Sequence, residues 1–151
     1  MGELGIEQLT TIGWRERVAL PAWGVRSLRA KIDTGARTSA IDVPEIIELP
    51  DGRVRFEIVL RTSPDRITRW VEAEVARTSV VKPSSGEKQE RLVCRTPLRL
   101  AGREHEIEIS LVCRRGMLCR MLIGRTAIAG YYAVDAASKY LHPLPKRRKS
   151  S

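Results

Sequence analysis

Residues 31 to 39 read Lys31-Ile32-Asp33-Thr34-Gly35-Ala36-Arg37-Thr38-Ser39. An apolar strand here runs into Asp-Thr-Gly-Ala, with a serine four residues after the glycine. The pattern sets one carboxylate on a sharp turn at a strand end, where the Thr34 hydroxyl can brace the turn and Gly35 can take backbone angles other residues avoid. A carboxylate held this way does acid or base work when a second carboxylate comes close. The chain has one such turn. If Asp33 is catalytic, its partner must come from another copy of the chain.

The second informative run is Met121-Leu122-Ile123-Gly124-Arg125. An apolar pair followed by glycine lets two backbones approach closely, as beneath a tight active-site turn. A buried strand ending at glycine accounts for the same residues, so the run gains its weight from its pairing with Asp33-Thr34-Gly35. Arg125 has two readings. Its guanidinium fork can tie loop carbonyls or a carboxylate together, or it is a solvated arginine at the start of a helix.

The elements that must hold these runs are mostly β. Leu28, Ala30 and Ile32 share one face, with Arg29 and Lys31 on the other, and this strand delivers Asp33. Val54, Phe56, Ile58 and Leu60 alternate with Arg53, Arg55 and Glu57. Val71, Ala73 and Val75 alternate with Glu72 and Glu74. Ile107, Ile109 and Leu111 alternate with Glu106, Glu108 and Ser110. Turn signals at Pro50-Asp51-Gly52, Pro83-Ser84-Ser85-Gly86 and Ala101-Gly102 separate the runs. Spacings near ten residues predict a small barrel or sandwich. One short helical turn, Arg125 to Ala129, is closed by Gly130. His105 falls on the apolar face near the start of its strand and reads as a hydrogen-bonded strand-end histidine. The expected domain covers 9–142, with a flexible N-terminus over 1–8 and a basic flexible tail over 143–151.

With 151 residues, 42% hydrophobic and 30% charged, the chain can bury one core. Apolar runs are short and broken by charges, so no segment is expected to span a membrane, and the N-terminus lacks a secretory pattern. A cytoplasmic location is expected. Cys94, Cys113 and Cys119 match no disulfide scaffold and read as buried thiols. With only His105 and His142 beside them, no metal set is expected. Net charge is +9; the tail Lys146-Arg147-Arg148-Lys149 supplies four positives, and the rest balances 23 cations against 18 acids, or +5. A basic surface favours acidic partners, whether nucleic acid or a Glu-rich peptide. Aromatic content of 5% supplies few stacking platforms for RNA.

Together the two runs resemble those of retroviral-type aspartic proteases, the retropepsins, which pair Asp-Thr-Gly-Ala with an apolar-apolar-Gly-Arg run before a C-terminal helix. A closer resemblance is to a bacterial retropepsin-like family that carries the label ATP-dependent zinc protease. It extends over Gly13-Trp14-Arg15-Glu16 with Leu20-Pro21, Ala30 to Ala40, Ser85-Gly86-Glu87 with Glu90-Arg91, and Arg114 through Ala127. This chain has Arg115-Gly116-Met117 where the family typically has Arg-Asp-Met. The resemblance implies a small closed acid-protease barrel with one short C-terminal helix, two subunits forming one active site. It assigns catalysis to Asp33 and support of the loop to Thr34, Gly35, Ala36, Ser39, Leu122, Ile123, Gly124 and Arg125. Half of the label finds no residues. There is no Gly-x-x-x-x-Gly-Lys-Ser/Thr loop for a nucleotide and no zinc-ligand set, so no cofactor is implied. Family members resemble companions of ATP-grasp ligases that add glutamates to proteins, a ribosomal protein among them. That implies an acidic polypeptide substrate and a ligase or ribosomal protein as partner. The hairpin through Ser84, Ser85 and Gly86 is the expected flap, with the Thr62 to Arg69 loop as rival.

Two other classes compete. An actin-like phosphotransferase also uses Asp-x-Gly turns, but needs two large α/β halves. A non-catalytic binding module on a retropepsin-like fold would engage a ribosomal or ligase partner through Arg26, Arg29, Arg53, Arg55 and Arg61.

Overall fold

A computed structural model describes residues 8–82, 86–113 and 120–144. Twelve strands and one helical turn follow in order: β1 (Thr10–Gly13), β2 (Arg15–Leu20), β3 (Val25–Asp33), β4 (Ser39–Asp42), β5 (Ile46–Leu49), β6 (Arg53–Arg61), β7 (Ile67–Glu74), β8 (Arg77–Val81), β9 (Gln89–Leu100), β10 (Arg103–Val112), β11 (Met121–Gly124), α1 (Arg125–Ile128) and β12 (Tyr132–Asp135). Six of them close a ring in the order β10, β4, β11, β3, β2, β9, with β9 pairing back to β10. The fold is thus a mostly β closed barrel with one short helix. Closure removes the exposed edges that an open sheet of this size would carry.

Inward positions follow the strand period. Leu28, Ala30 and Ile32 are buried on β3 while Arg29 and Lys31 are exposed. Ile107, Ile109 and Leu111 are buried on β10. With Leu20, Ile41, Leu98, Leu100, Met121 and Ile123 they make one apolar interior. Burying a side chain of this size contributes roughly 1.5–3 kcal/mol. A three-stranded sheet, β5–β6–β7, packs on the barrel through Phe56, whose ring meets Trp23 edge-on at 5.0 Å.

Some expectations need correction in detail. On β6 the burial is not simple alternation, because the register shifts between Val59 and Arg61 and sends Val59 inward as well. Val75 lies past the end of β7, where its N–H donates to Gly52 O at 2.8 Å. Cys94 is buried, and burial pushes its thiol up to about 11. Cys113 is exposed, because it follows the last residue of β10 and leaves the core; Cys119 lies outside the described residues. The Ala101-Gly102 turn takes positive φ at both residues (53° and 77°), the geometry that matches the twist of a two-residue hairpin.

Glu16 is fully buried on β2. Its carboxylate accepts N–H bonds from Gly13 (2.7 Å), Leu141 (3.0 Å) and His142 (3.1 Å). A buried charge persists only when satisfied in this way. The result pins the segment after β12 across the β1–β2 turn. β12 itself pairs in parallel with β1.

Candidate active site

β3 and β11 run parallel, with Gly124 beside Asp33 in the register. The two sequence runs therefore end side by side. At Asp33 the chain turns, closed by Ala36 N–H on the Asp33 carbonyl (3.2 Å) and Gly35 N–H on Asp33 Oδ1 (3.1 Å). The brace at this turn is thus the aspartate's own carboxylate. Thr34 is exposed. Gly35 is not among the glycines with positive φ. A side chain there is opposed by space instead, since a Cβ would stand 3.3 Å from Asp33 Oδ1.

The helical turn α1, directly after β11, fastens the loop from below. Arg125 N–H donates to Ala36 O (2.8 Å), and Thr126 donates to Arg37 O through both its N–H (3.2 Å) and its hydroxyl (2.8 Å). The Arg125 guanidinium donates through Nη1 to Gly35 O at 3.1 Å. The side chain thus combines parts of its two readings: it reaches a loop carbonyl through one nitrogen and stays exposed at the start of α1. Ser39 is fully buried, and its hydroxyl accepts the Gly124 N–H at 3.0 Å. A Cβ on Gly124 would lie 2.6 Å from the Thr38 carbonyl carbon, so the backbones meet as closely as the apolar-apolar-Gly run predicts. Met121 and Ile123 point into the core and Leu122 outward.

The half-buried Asp33 side chain opens onto a cavity of about 180 Å³, lined also by Thr38, Ala40, Asp42, Arg91 and Leu122. Asp42 is a feature that sequence reasoning missed. It is buried and bonds Arg120 Nη1 through Oδ2 at 3.1 Å. An aspartate continuing the Ser39-Ala40-Ile41 strand was the available signal. Arg91, carried by β9, stands in the cavity wall. Of the expected flap, Ser84 and Ser85 lie outside the described residues, and Gly86 is exposed with φ +88°. The rival loop joins β6 to β7.

The histidines are occupied elsewhere. His105 Nε2 donates to Ala127 O (3.0 Å) and its ring stacks on Tyr131 at 4.1 Å. Burial holds its pKa below the usual histidine value. His142 Nε2 donates to Thr11 O (2.7 Å). Among the described residues, no three or more His, Cys, Asp or Glu side chains gather as a metal site. Among the same residues no helix is long and apolar enough to cross a membrane.

A closed β-barrel with one Asp-Thr-Gly turn locked against an apolar-Gly-Arg strand defines the retropepsin-like class. The family model described as "Retropepsin-like aspartic endopeptidase RimB" matches residues 11–145. The chain belongs to this RimB-like family. It is similar to proteins named probable alpha-L-glutamate ligase: 34% identical over 132 residues to one from Shewanella pealeana, covering 85% of this chain, and 35% over 130 residues to one from Desulfotalea psychrophila, covering 83%. The chain spans only 29% and 28% of those relatives' lengths. A crystal structure of Lpg0085, a Legionella pneumophila protein of unknown function, matches with a TM-score of 0.70 and 26% identity, covering 87% of this chain and 97% of that one.

Proposed function

We propose that this chain is an aspartic-type endopeptidase that works as a homodimer and acts on acidic, glutamate-tailed polypeptide segments. The observation that carries the reading is the Asp33 turn, held by Ser39, Gly124, Arg125 and Thr126 so that one carboxylate faces a cavity. Two such turns meeting at a two-fold axis bring two carboxylates together. At a few ångström both cannot stay ionised, so the pair shares one proton, as in aspartic proteases generally. The ionised member takes a proton from a trapped water. That water attacks the scissile carbonyl while the protonated member donates to the carbonyl oxygen. The exposed Thr34 lies on the face that would meet the partner subunit's turn. Arg91 puts the β8–β9 hairpin at the cavity's edge, which supports Gly86 and its neighbours as the covering element.

The relatives' names support the substrate. In them a segment like this chain belongs to a longer protein named for glutamate ligation, so a ligase and its glutamate-bearing product are natural company for this chain.

The test is incubation of parent and Asp33→Asn proteins with a glutamate-tailed protein and an untailed control, products read by mass. The parent is expected to shorten the tailed protein alone, and the variant to leave it intact while sedimenting as the same dimer. Equal cleavage by the variant sinks the proposal.

A second reading, a binding module without catalysis, is favoured by one feature. The outer face of β5–β7 exposes Ile47 and Trp70, with the Arg55 guanidinium 5.0 Å from the Trp70 ring. Partner capture that survives Asp33→Asn, with no peptide cut by the parent, selects this reading.

A further inference from the structure

The floor of the Asp33 cavity does not end at the cavity. Ala40 and Leu122 face each other in the β4–β11 register, Leu122 stands beside Lys31 in the β11–β3 register, and Lys31 beside Arg15 in the β3–β2 register. These four residues form one row across one face of four strands. With strands about 4.8 Å apart, Lys31 lies one step and Arg15 two steps from the apolar floor. The next row on the same face pairs Arg17 with Arg29. Four cations thus sit together beside Asp33, and Lys31 is only two residues before it.

This arrangement is unfavourable for the fold alone. Like charges directly opposite each other on neighbouring strands repel. The acid between them in sequence, Glu16, points the other way and is buried. Among the described residues, none of the four cations is ion-paired with a carboxylate. Arg17 donates to Ser27 Oγ at 3.1 Å, a neutral group. The Arg15 guanidinium lies 4.5 Å from the Trp14 ring, with its Nε buried and without a hydrogen-bond partner. Lys139 Nζ stands 5.9 Å from the same ring and adds a fifth positive charge. A folded surface that keeps such a cluster is stabilised when an anion arrives.

We propose that Lys31, Arg15, Arg29 and Arg17 are the specificity-determining residues of the site, reading the carboxylates of an acidic polypeptide on one side of the bond held at Asp33. The inference rests on the protease reading and deepens it. Lys31 takes the side chain nearest the cavity and Arg15 the one beyond. Arg29 and Arg17 supply the field that draws the segment in. An acidic peptide is favoured over nucleic acid because the row is continuous with the floor beneath the carboxylate that performs hydrolysis, and because the ring in this cluster, Trp14, is half-buried and already faced by Arg15 and Lys139.

The test separates binding from turnover. Anisotropy of a fluorescein-labelled decaglutamate peptide is followed on the Asp33→Asn protein, alone and combined with Lys31→Gln, Arg29→Gln or both. Each neutralisation is expected to weaken binding about three- to fivefold, and the pair about tenfold or more. Binding should fall as salt rises, and a decaglutamine peptide should bind at least tenfold more weakly. Melting temperatures of the neutralised variants should equal or exceed that of Asp33→Asn, because a repulsion has been removed. Unchanged affinity in the double variant overturns the proposal, even if the parent cleaves the peptide. Displacement of the peptide by an oligouridylate of equal charge at lower concentration also overturns it, and assigns the face to nucleic acid. Patch-dependent binding by a parent that cuts nothing leaves the specificity face standing and removes the protease reading.

Discussion

Ser39→Ala probes the lock beneath the Asp33 turn. The Ser39 hydroxyl accepts the Gly124 N–H at 3.0 Å, and the serine is fully buried. Alanine deletes the acceptor and leaves that buried N–H without its partner. An orphaned buried donor costs about 1–3 kcal/mol, so about 2 kcal/mol is expected. For a chain of this size that lowers Tm by about 6–8 °C. Thr126→Val is the matched control. Its hydroxyl bond to Arg37 O is shorter, 2.8 Å, yet exposed, and the same carbonyl keeps the Thr126 N–H. Water replaces the lost donor, and the cost should stay below about 0.5–1 kcal/mol. The assay is urea unfolding of parent and both variants at one protein concentration, since the proposed dimerisation would make stability depend on concentration. If Thr126→Val costs as much as Ser39→Ala, burial is not what makes the Ser39 bond matter, and the reasoning fails.

Two other predictions follow from neighbouring features. Gly124→Ala puts a methyl 2.6 Å from the Thr38 carbonyl carbon, a contact only backbone movement can relieve. It should destabilise by about 1–3 kcal/mol or more and displace the Asp33 turn, read as loss of the proposed peptidase activity together with a lower urea midpoint. His105 should give a pH signature. Burial lowers its pKa in the folded chain, so the unfolded chain takes the proton more readily. Its contribution to stability is therefore present above pH 6.5 and is lost as pH falls from there through the depressed folded value. His105→Phe keeps a ring against Tyr131 and should flatten that acid-side slope in unfolding curves recorded between pH 7.5 and 5. An unchanged slope shows that other groups set it.

The barrel was legible where one strand face is buried and the other wet. β3 obeys that rule from Leu28 to Ile32, as expected, and β10 obeys it from Glu104 to Ile109, but Ser110, expected on the wet face, is buried as well. It was illegible where both faces are covered or local signals mislead. β9 runs through Gln89–Leu100 with Val93 and Cys94 both buried, and it contains Pro97, a residue that argues against a strand interior. Nothing local marks Glu16 as buried; the N–H groups of Gly13 and of the distant Leu141 and His142 satisfy it inside. At the site, the pairing of Asp33 with Gly124 was visible because glycine marks close backbone approach. Asp42 was not, since its local signal, its place at the end of the Ser39-Ala40-Ile41 strand, does not point to Arg120, 78 residues away.

The same geometry makes Asp33→Asn a clean experiment. Among the described residues, the Asp33 side chain accepts one hydrogen bond, from Gly35 N–H, through Oδ1. An asparagine carbonyl occupies that position and accepts the same N–H. The remaining anchors of the turn belong to other residues: Ser39, Gly124, Arg125 and Thr126. The framework therefore lies inside each chain, whereas the proposed chemistry requires two chains. A variant that folds, dimerises and loses only turnover follows from this division of labour. A variant that unfolds would mean that the carboxylate is structural, because the amide keeps the Gly35 hydrogen bond and removes only the charge.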